Sequence, residues 1–178
     1  MAGKTKSQKK KALDMRSKMY LVLALCSVML LVSVGISLVL IGGIDLGGTT
    51  AKVGLFTTSG ALLEKWEVPT DTSNAGEHIL ENLADAIHAK MAEKEITSEQ
   101  VEGVGIGVPG PVLDSRVVPI ICANLGGWGE RNVSAQLSGL LDGMKVLVGN
   151  DANVAALGEI WMGTAKGCRS AVMVTLGT

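Results

Sequence analysis

A chain of 178 residues can bury the core of one domain or two small ones, and 23 glycines beside a single Phe and a single Tyr suit an α/β protein with many tight turns. The net charge of −1 hides an asymmetry: residues 1–18 hold seven cations and one anion, a net +6, so the rest of the chain carries −7, which argues against a nucleic-acid partner. Three scattered cysteines, Cys26, Cys122 and Cys168, form neither a CxxC pair nor a Cys/His cluster, which argues against a disulfide framework or a zinc site and fits a reducing compartment.

No charged residue occurs between Met19 and Ile44. An uncharged apolar run of this length predicts a transmembrane helix, over 19–37, with the basic segment 1–18 held on the cytoplasmic side. At ~1.5 Å per residue that stretch is just long enough to cross. A re-entrant or interfacial segment and an upstream extension foreign to the native protein stay open beside it. A cleaved signal peptide fits less well, because the apolar region is too long. The last residues of the run, Leu38 to Ile44, are needed for a first strand.

Further along, Ala51 to Phe56 and Leu62 to Val68 predict two strands joined by the turn Thr57-Thr58-Ser59-Gly60. Pro69 to Asn74 reads as loop. Ala75 to Lys94 predicts an amphipathic helix, with Ile79, Leu80, Leu83, Ile87 and Met91 at helical spacing. Val101 to Val108 reads as a strand stopped by Pro109-Gly110-Pro111, Val112 to Ile121 as extended with a turn near Asp114-Ser115, and Asn124 to Gly129 as a glycine loop. A short helix over Val133 to Leu141, a strand over Met144 to Val148, a helix over Asp151 to Met162 and a strand over Ser170 to Leu176 complete the series. Alternating strands and helices after residue 69 predict a mainly parallel sheet, preceded by an antiparallel meander.

Two motifs lie at strand ends. Asp45-Leu46-Gly47-Gly48-Thr49-Thr50 follows one apolar run, and Asn150-Asp151-Ala152-Asn153 follows another. A glycine turn exposes backbone N–H groups to anions, and the Thr49 and Thr50 hydroxyls can meet phosphate oxygens. The same turn could equally be a plain hairpin. No Lys follows at the spacing of a P-loop. Asp45 could hold Mg²⁺ through water. Asp151 could act as general base, or Asn150 or Asp151 could simply cap the following helix. Gly105 to Gly110 spells G-x-G-x-x-G, but Pro109 and Pro111 forbid the helix that a dinucleotide fingerprint must open. Thr175-Leu176-Gly177-Thr178 repeats the Gly-Thr pattern as a second phosphate turn. His78 and His88 read as surface or boundary residues of their helix, Trp66 and Trp161 as core, and Trp128 as either pocket lining or packing.

Five segments taken in order resemble the ROK family of sugar kinases, and most of all its bacterial glucokinases: Asp45 to Lys52, Gly107 to Val112, Asn124 to Trp128, Asn150 to Glu159 and Thr175 to Thr178. The resemblance implies an actin-like, ribonuclease H-like ATPase fold, a mixed sheet with helices, with ATP held between two lobes. It implies Asp151 as the base that deprotonates the sugar 6-hydroxyl, and Gly110, Asn124, Asn150 and Asp151 as sugar contacts. Gly47, Gly48, Thr49 and Thr50 would form the first ATP phosphate turn, Gly177 and Thr178 would begin the second, and Asp45 would serve Mg²⁺. The family's zinc motif and its Glu-x-Gly-His sugar motif are absent from this chain. Residues 38–150 would then be the N-terminal kinase lobe and 151–178 the truncated start of the second.

The function expected is therefore ATP-dependent phosphorylation of a hexose, glucose to glucose 6-phosphate, in cytoplasmic carbohydrate metabolism and glycolysis. The partners are sugar and ATP, with no nucleic acid, a homodimer for the full-length protein and a membrane anchor through 19–37. A membrane-tethered sugar sensor without catalysis, or another kinase of the family such as an N-acetylmannosamine kinase, are the alternatives.

Overall fold

The computed structural model describes residues 39–118 and 121–174. The predicted membrane span at 19–37 and the second Gly-Thr turn at Gly177 and Thr178 lie outside the described residues. Among the described residues no helix is long and apolar enough to cross a membrane.

Among the described residues seven strands and three α-helices follow in chain order. Strand β1 is Leu40–Leu46, β2 Thr50–Thr57 and β3 Leu62–Pro69. Helix α1 is Ile79–Glu93 and β4 is Val101–Val108. The short strands β5, Val117–Val118, and β6, Arg131–Asn132, pair with each other. Helix α2 is Val133–Leu140, β7 is Val146–Asn150 and α3 is Asp151–Trp161. The main sheet has the order β3-β2-β1-β4-β7. β1, β2 and β3 form an antiparallel meander, whereas β4 and β7 run parallel to β1. This is the mixed sheet that the pattern of elements predicts.

Side chains alternate across a strand, and the two faces of this sheet are unlike. One face carries Leu40, Ile44, Leu46, Ala51, Val53, Val104, Ile106, Val108, Val146 and Val148, all buried. Against it lie Ile79, Leu80, Leu83, Ala84 and Ile87 of α1 and Val133 and Leu137 of α2. Leu83 is 1 % exposed, and such burial stabilises by about 1.5–3 kcal/mol per side chain. The other face is paved with glycine: Gly54, Gly43 and Gly105 stand in register across β2, β1 and β4. An open groove of about 640 Å³ runs over this face between the sheet and α3. Gly149 lets α3 come close, since a Cβ there would sit 2.5 Å from Val154 Cγ2.

Some boundaries differ from those predicted. The helix begins at Ile79 rather than Ala75, because Asn74, Ala75 and Gly76 hold left-handed backbone (φ 48°, 57° and 68°). Trp161 is half exposed rather than core, since α3 buries no residue of its own. Residues 170–174 form no strand, with Val172 and Val174 largely exposed. An apolar run becomes a strand only where another strand accepts its hydrogen bonds, and none lies beside it among the described residues. Trp128 resolves to packing: it is fully buried, with the Arg131 guanidinium 4.4 Å from its ring centroid. Burial pushes the Arg131 pKa down, against a lesser opposing pull from Glu77.

The loop holding Trp128 depends on two glycines. Gly126 has φ +72°, and a Cβ there would collide with the Thr72 carbonyl. A Cβ on Gly76 would lie 2.6 Å from the Leu125 carbonyl. Gly126→Ala is expected to destabilise the fold by about 2 kcal/mol or more, measured as a lower midpoint in urea with an unchanged slope.

Candidate functional site

Parallel pairing brings the carboxyl ends of β1, β4 and β7 to one edge of the sheet, the edge where ligands bind in open α/β sheets. Asp45 sits one residue before the end of β1 and is exposed. It stands opposite Lys52 on β2 and Gly107 on β4, and Gly107 in turn stands opposite Gly149 on β7. A Cβ on Gly107 would lie 3.4 Å from the Asp151 Cα and 3.7 Å from the Ile44 carbonyl oxygen. The end of β1 and the first residue of α3 therefore face each other across one bare strand position.

Beyond Asp45 the chain turns tightly. Gly47 N–H donates to the Thr50 carbonyl at 3.3 Å. Thr70 braces the turn from β3's end: its Oγ1–H donates to Gly47 O at 2.8 Å and its N–H to Thr49 O at 2.9 Å. The N–H groups of Gly48 and Thr49 have no hydrogen-bond partner among the described residues, and both residues are exposed. This is the arrangement an anion-binding turn needs. Gly48 also has a steric reason to be glycine, because a Cβ there would lie 2.6 Å from the Asn124 carbonyl oxygen. The Asn124 loop thus rests directly on the glycine turn.

On the other flank, β4 leaves the sheet through Pro109 and Gly110, where Gly110 has φ +89°. The buried Cys122 thiol donates to the Pro109 carbonyl at 3.3 Å. Burial pushes this thiol's pKa up, with a smaller opposing effect of Arg131, which keeps it the proton donor. Asn150 Nδ2 donates to Gly110 O at 3.0 Å and to Asp151 Oδ1 at 2.9 Å. Asn150 Oδ1 accepts from the Asn153 amide at 3.1 Å, so Asn150 is the N-cap of α3. Asp151 Oδ1 accepts a second bond from the Ala152 amide at 2.8 Å.

Of the residues singled out in the sequence, Asp45, Gly47, Gly48, Thr49, Thr50, Gly110, Asn124, Asn150 and Asp151 gather at this edge through those contacts. The capping reading is met by Asn150, whose Oδ1 accepts from the Asn153 amide, and the Asp151 carboxylate is exposed beside it. Sequence reasoning weighed Cys122 only for disulfide and zinc chemistry and passed over Thr70. Each is a single polar residue bonded to a backbone carbonyl remote in sequence, for which no spacing pattern exists. Glu159, inside the Asn150 to Glu159 segment, serves the local backbone: it accepts from Thr164 N–H at 2.8 Å and Oγ1–H at 2.9 Å, and these bonds lower its pKa.

The chain belongs to the ROK family, whose sequence model matches residues 41–178. Its α/β mixed sheet with helices matches the fold of ROK sugar kinases. The glucokinase of Halalkalibacterium halodurans is 35 % identical over 136 residues, spanning 76 % of this chain and 41 % of the relative. The ROK hexokinase of Thermus thermophilus superposes with a TM-score of 0.60 at 35 % identity, over 72 % of this chain and 40 % of that structure. A ROK family glucokinase from Streptomyces griseus, solved with glucose and AMPPNP, gives a TM-score of 0.57 at 32 % identity, over 72 % of this chain and 38 % of that one. The chain spans about two fifths of the length of the curated relatives it matches.

Gly48→Ala is expected to push the Asn124 loop off the turn while leaving the sheet intact. Amide resonances of residues 122–128 would move by more than those of β4 and β7. Shifts confined to residues 47–50 would show that the two segments do not bear on each other.

Proposed function

We propose that the protein of which this chain is a part is an ATP-dependent hexose kinase acting on the 6-hydroxyl of glucose, with residues 38–150 as its N-terminal lobe and 151–178 as the start of the second. The observation that carries the reading is the shared edge of Asp45, the Gly47 to Thr50 turn and Asp151. Two loops reach the same edge: the Gly110 carbonyl is bonded to Asn150, and the Asn124 carbonyl lies against Gly48. The similarity to glucokinases, one of them solved with glucose and AMPPNP, supports the same reading.

In this scheme Gly110, Asn124 and Asn150 hold the sugar with its 6-hydroxyl at Asp151. Asp151 takes the hydroxyl proton, the sugar oxygen forms a bond to the γ-phosphorus, and the bond from that phosphorus to the β,γ-bridging oxygen breaks, releasing ADP. The unpaired amides of Gly48 and Thr49 and the hydroxyls of Thr49 and Thr50 hold phosphate oxygens, and Gly177 and Thr178 begin a second grip on the nucleotide. Positioning and charge stabilisation supply most of the rate in phosphoryl transfer. Asp45 is a lone carboxylate, and no cluster of three metal-binding side chains occurs among the described residues. That donor set suits Mg²⁺ arriving with the nucleotide and keeping its waters, rather than a protein cage. The ion, when bound, supplies positive charge to the phosphate oxygens. The site of action is the cytoplasm, where ATP is available.

Asp151→Asn in the complete gene product is expected to lower kcat for glucose by about 10²-fold or more, with the dissociation constant for glucose within about threefold of the parent. The readouts are a coupled ADP assay and calorimetry. A variant that kept near-normal kcat would remove Asp151 from the role of base. A higher kcat/KM for an N-acetylhexosamine than for glucose would reassign the sugar and leave the reaction in place.

A further inference from the structure

The side-chain amide of Asn150 is used up by the protein. Both Nδ2 protons are donated, one to Gly110 O and one to Asp151 Oδ1, and Oδ1 accepts from the Asn153 amide. This orientation is forced. A flipped amide would set its oxygen against two acceptor oxygens and its NH₂ against an N–H donor. Asn150 therefore has one acceptor lone pair to offer a sugar hydroxyl and no donor. The consequence for Asp151 is equally specific. Its Oδ1 already accepts two bonds, from Asn150 Nδ2 and the Ala152 amide, while Oδ2 accepts none among the described residues.

We propose that Asn150 is a positioning residue: its amide locks the Asp151 carboxylate to the Gly110 turn, so that Oδ2 alone is left to receive a proton. The role rests on the kinase reading above. It adds which oxygen acts, and it makes the geometry of the base depend on the backbone of a turn forty residues away in sequence. A movement of the Gly110 turn would rotate the carboxylate. The Cys122 thiol that holds Pro109 is thus a second support of the same base, one step removed.

The ionisable surroundings of Asp151 are few. Asp45 on β1 and Lys52 on β2 share the cross-strand row of Gly107 and Gly149. Of the elements packed with α3, β4 carries only Glu102, β7 carries no charge, the β2–β3 hairpin brings Lys52 and Lys65 to the groove beneath it, and α3 itself adds only Glu159. A substitution at position 150 leaves all of these in place.

The test follows the whole 178-residue chain by NMR at one fixed pH, reading the two Asn150 side-chain NH₂ protons and the backbone amides. Asp151→Ala removes one of the two acceptors of that NH₂ and leaves the Gly110 carbonyl in place, so one NH₂ proton is expected to move upfield by more than any amide of 153–161 while the other holds its position. In Asn150→Ser the hydroxyl still caps α3 but cannot reach both Gly110 and Asp151, so the Ala152 amide and the residues of the Gly110 turn are expected to shift while the amides of 153–161 stay. An Asn150 NH₂ pair unchanged by Asp151→Ala overturns the proposal, as does an Asn150→Ser spectrum in which Ala152 and the Gly110 turn match the parent chain. Neither sugar nor ATP is needed, so this failure is separate from that of the kinase reading, which falls if the complete gene product binds no glucose.

Discussion

Three parallel strands, β1, β4 and β7, constrain everything else at the site. Their common direction sends Asp45, Val108 and Asn150 to one edge, although the three lie far apart in the chain. Because pairing in register fixes which face each side chain takes, Asp45 and the bare Gly107 fall on the same side. A shift of one residue in β4 would put Val108 where Gly107 stands and drive a branched side chain into the first turn of α3.

Glycine does two different jobs here. At Gly126 a left-handed backbone is required, and only a residue without a Cβ adopts it at no cost. At Gly48 and Gly149 the backbone is ordinary and the need is for space: a carbonyl oxygen and a valine methyl stand where a Cβ would go, whereas a Cβ on Gly107 would meet the start of α3 in ordinary contact. The glycines of the edge thus serve the approach of neighbouring segments as well as any ligand, and the exposed amides of Gly48 and Thr49, unpaired among the described residues, are the part of the turn that packing does not explain.

The apolar and polar halves of the molecule depend on each other. The buried face of the sheet, closed by α1 and α2, holds the strands rigid, while the glycine-paved face leaves α3 lying over an open groove with Val154, Leu157 and Trp161 exposed. Helix α3 is held at its start by polar contacts, through the Asn150 cap and the Gly110 carbonyl, more than by apolar burial. The residue expected to do chemistry is therefore anchored by hydrogen bonds, whose directionality sets the orientation of the carboxylate in a way that burial does not.

Periodicity in the sequence determined the strands β1 to β4, the apolar stripe of α1 and the order of the elements, because alternation and helical spacing are local properties. Four of the five motifs marked residues that meet at the edge, and the fifth, Thr175 to Thr178, lies outside the described residues. Local pattern was not enough where a neighbour distant in the chain decides the outcome. Asn74 and Ala75 leave the helix in a left-handed turn that ends at Gly76, where the missing Cβ leaves space for the Leu125 carbonyl. The apolar run at 170–174 forms no strand and is exposed, because no strand among the described residues lies beside it to accept its hydrogen bonds. The division of labour between Asn150 and Asp151 was open in the sequence, where both are good caps. Only the tertiary structure decided it, by carrying the Gly110 carbonyl to within 3.0 Å of one amide and leaving one carboxylate oxygen without a partner among the described residues.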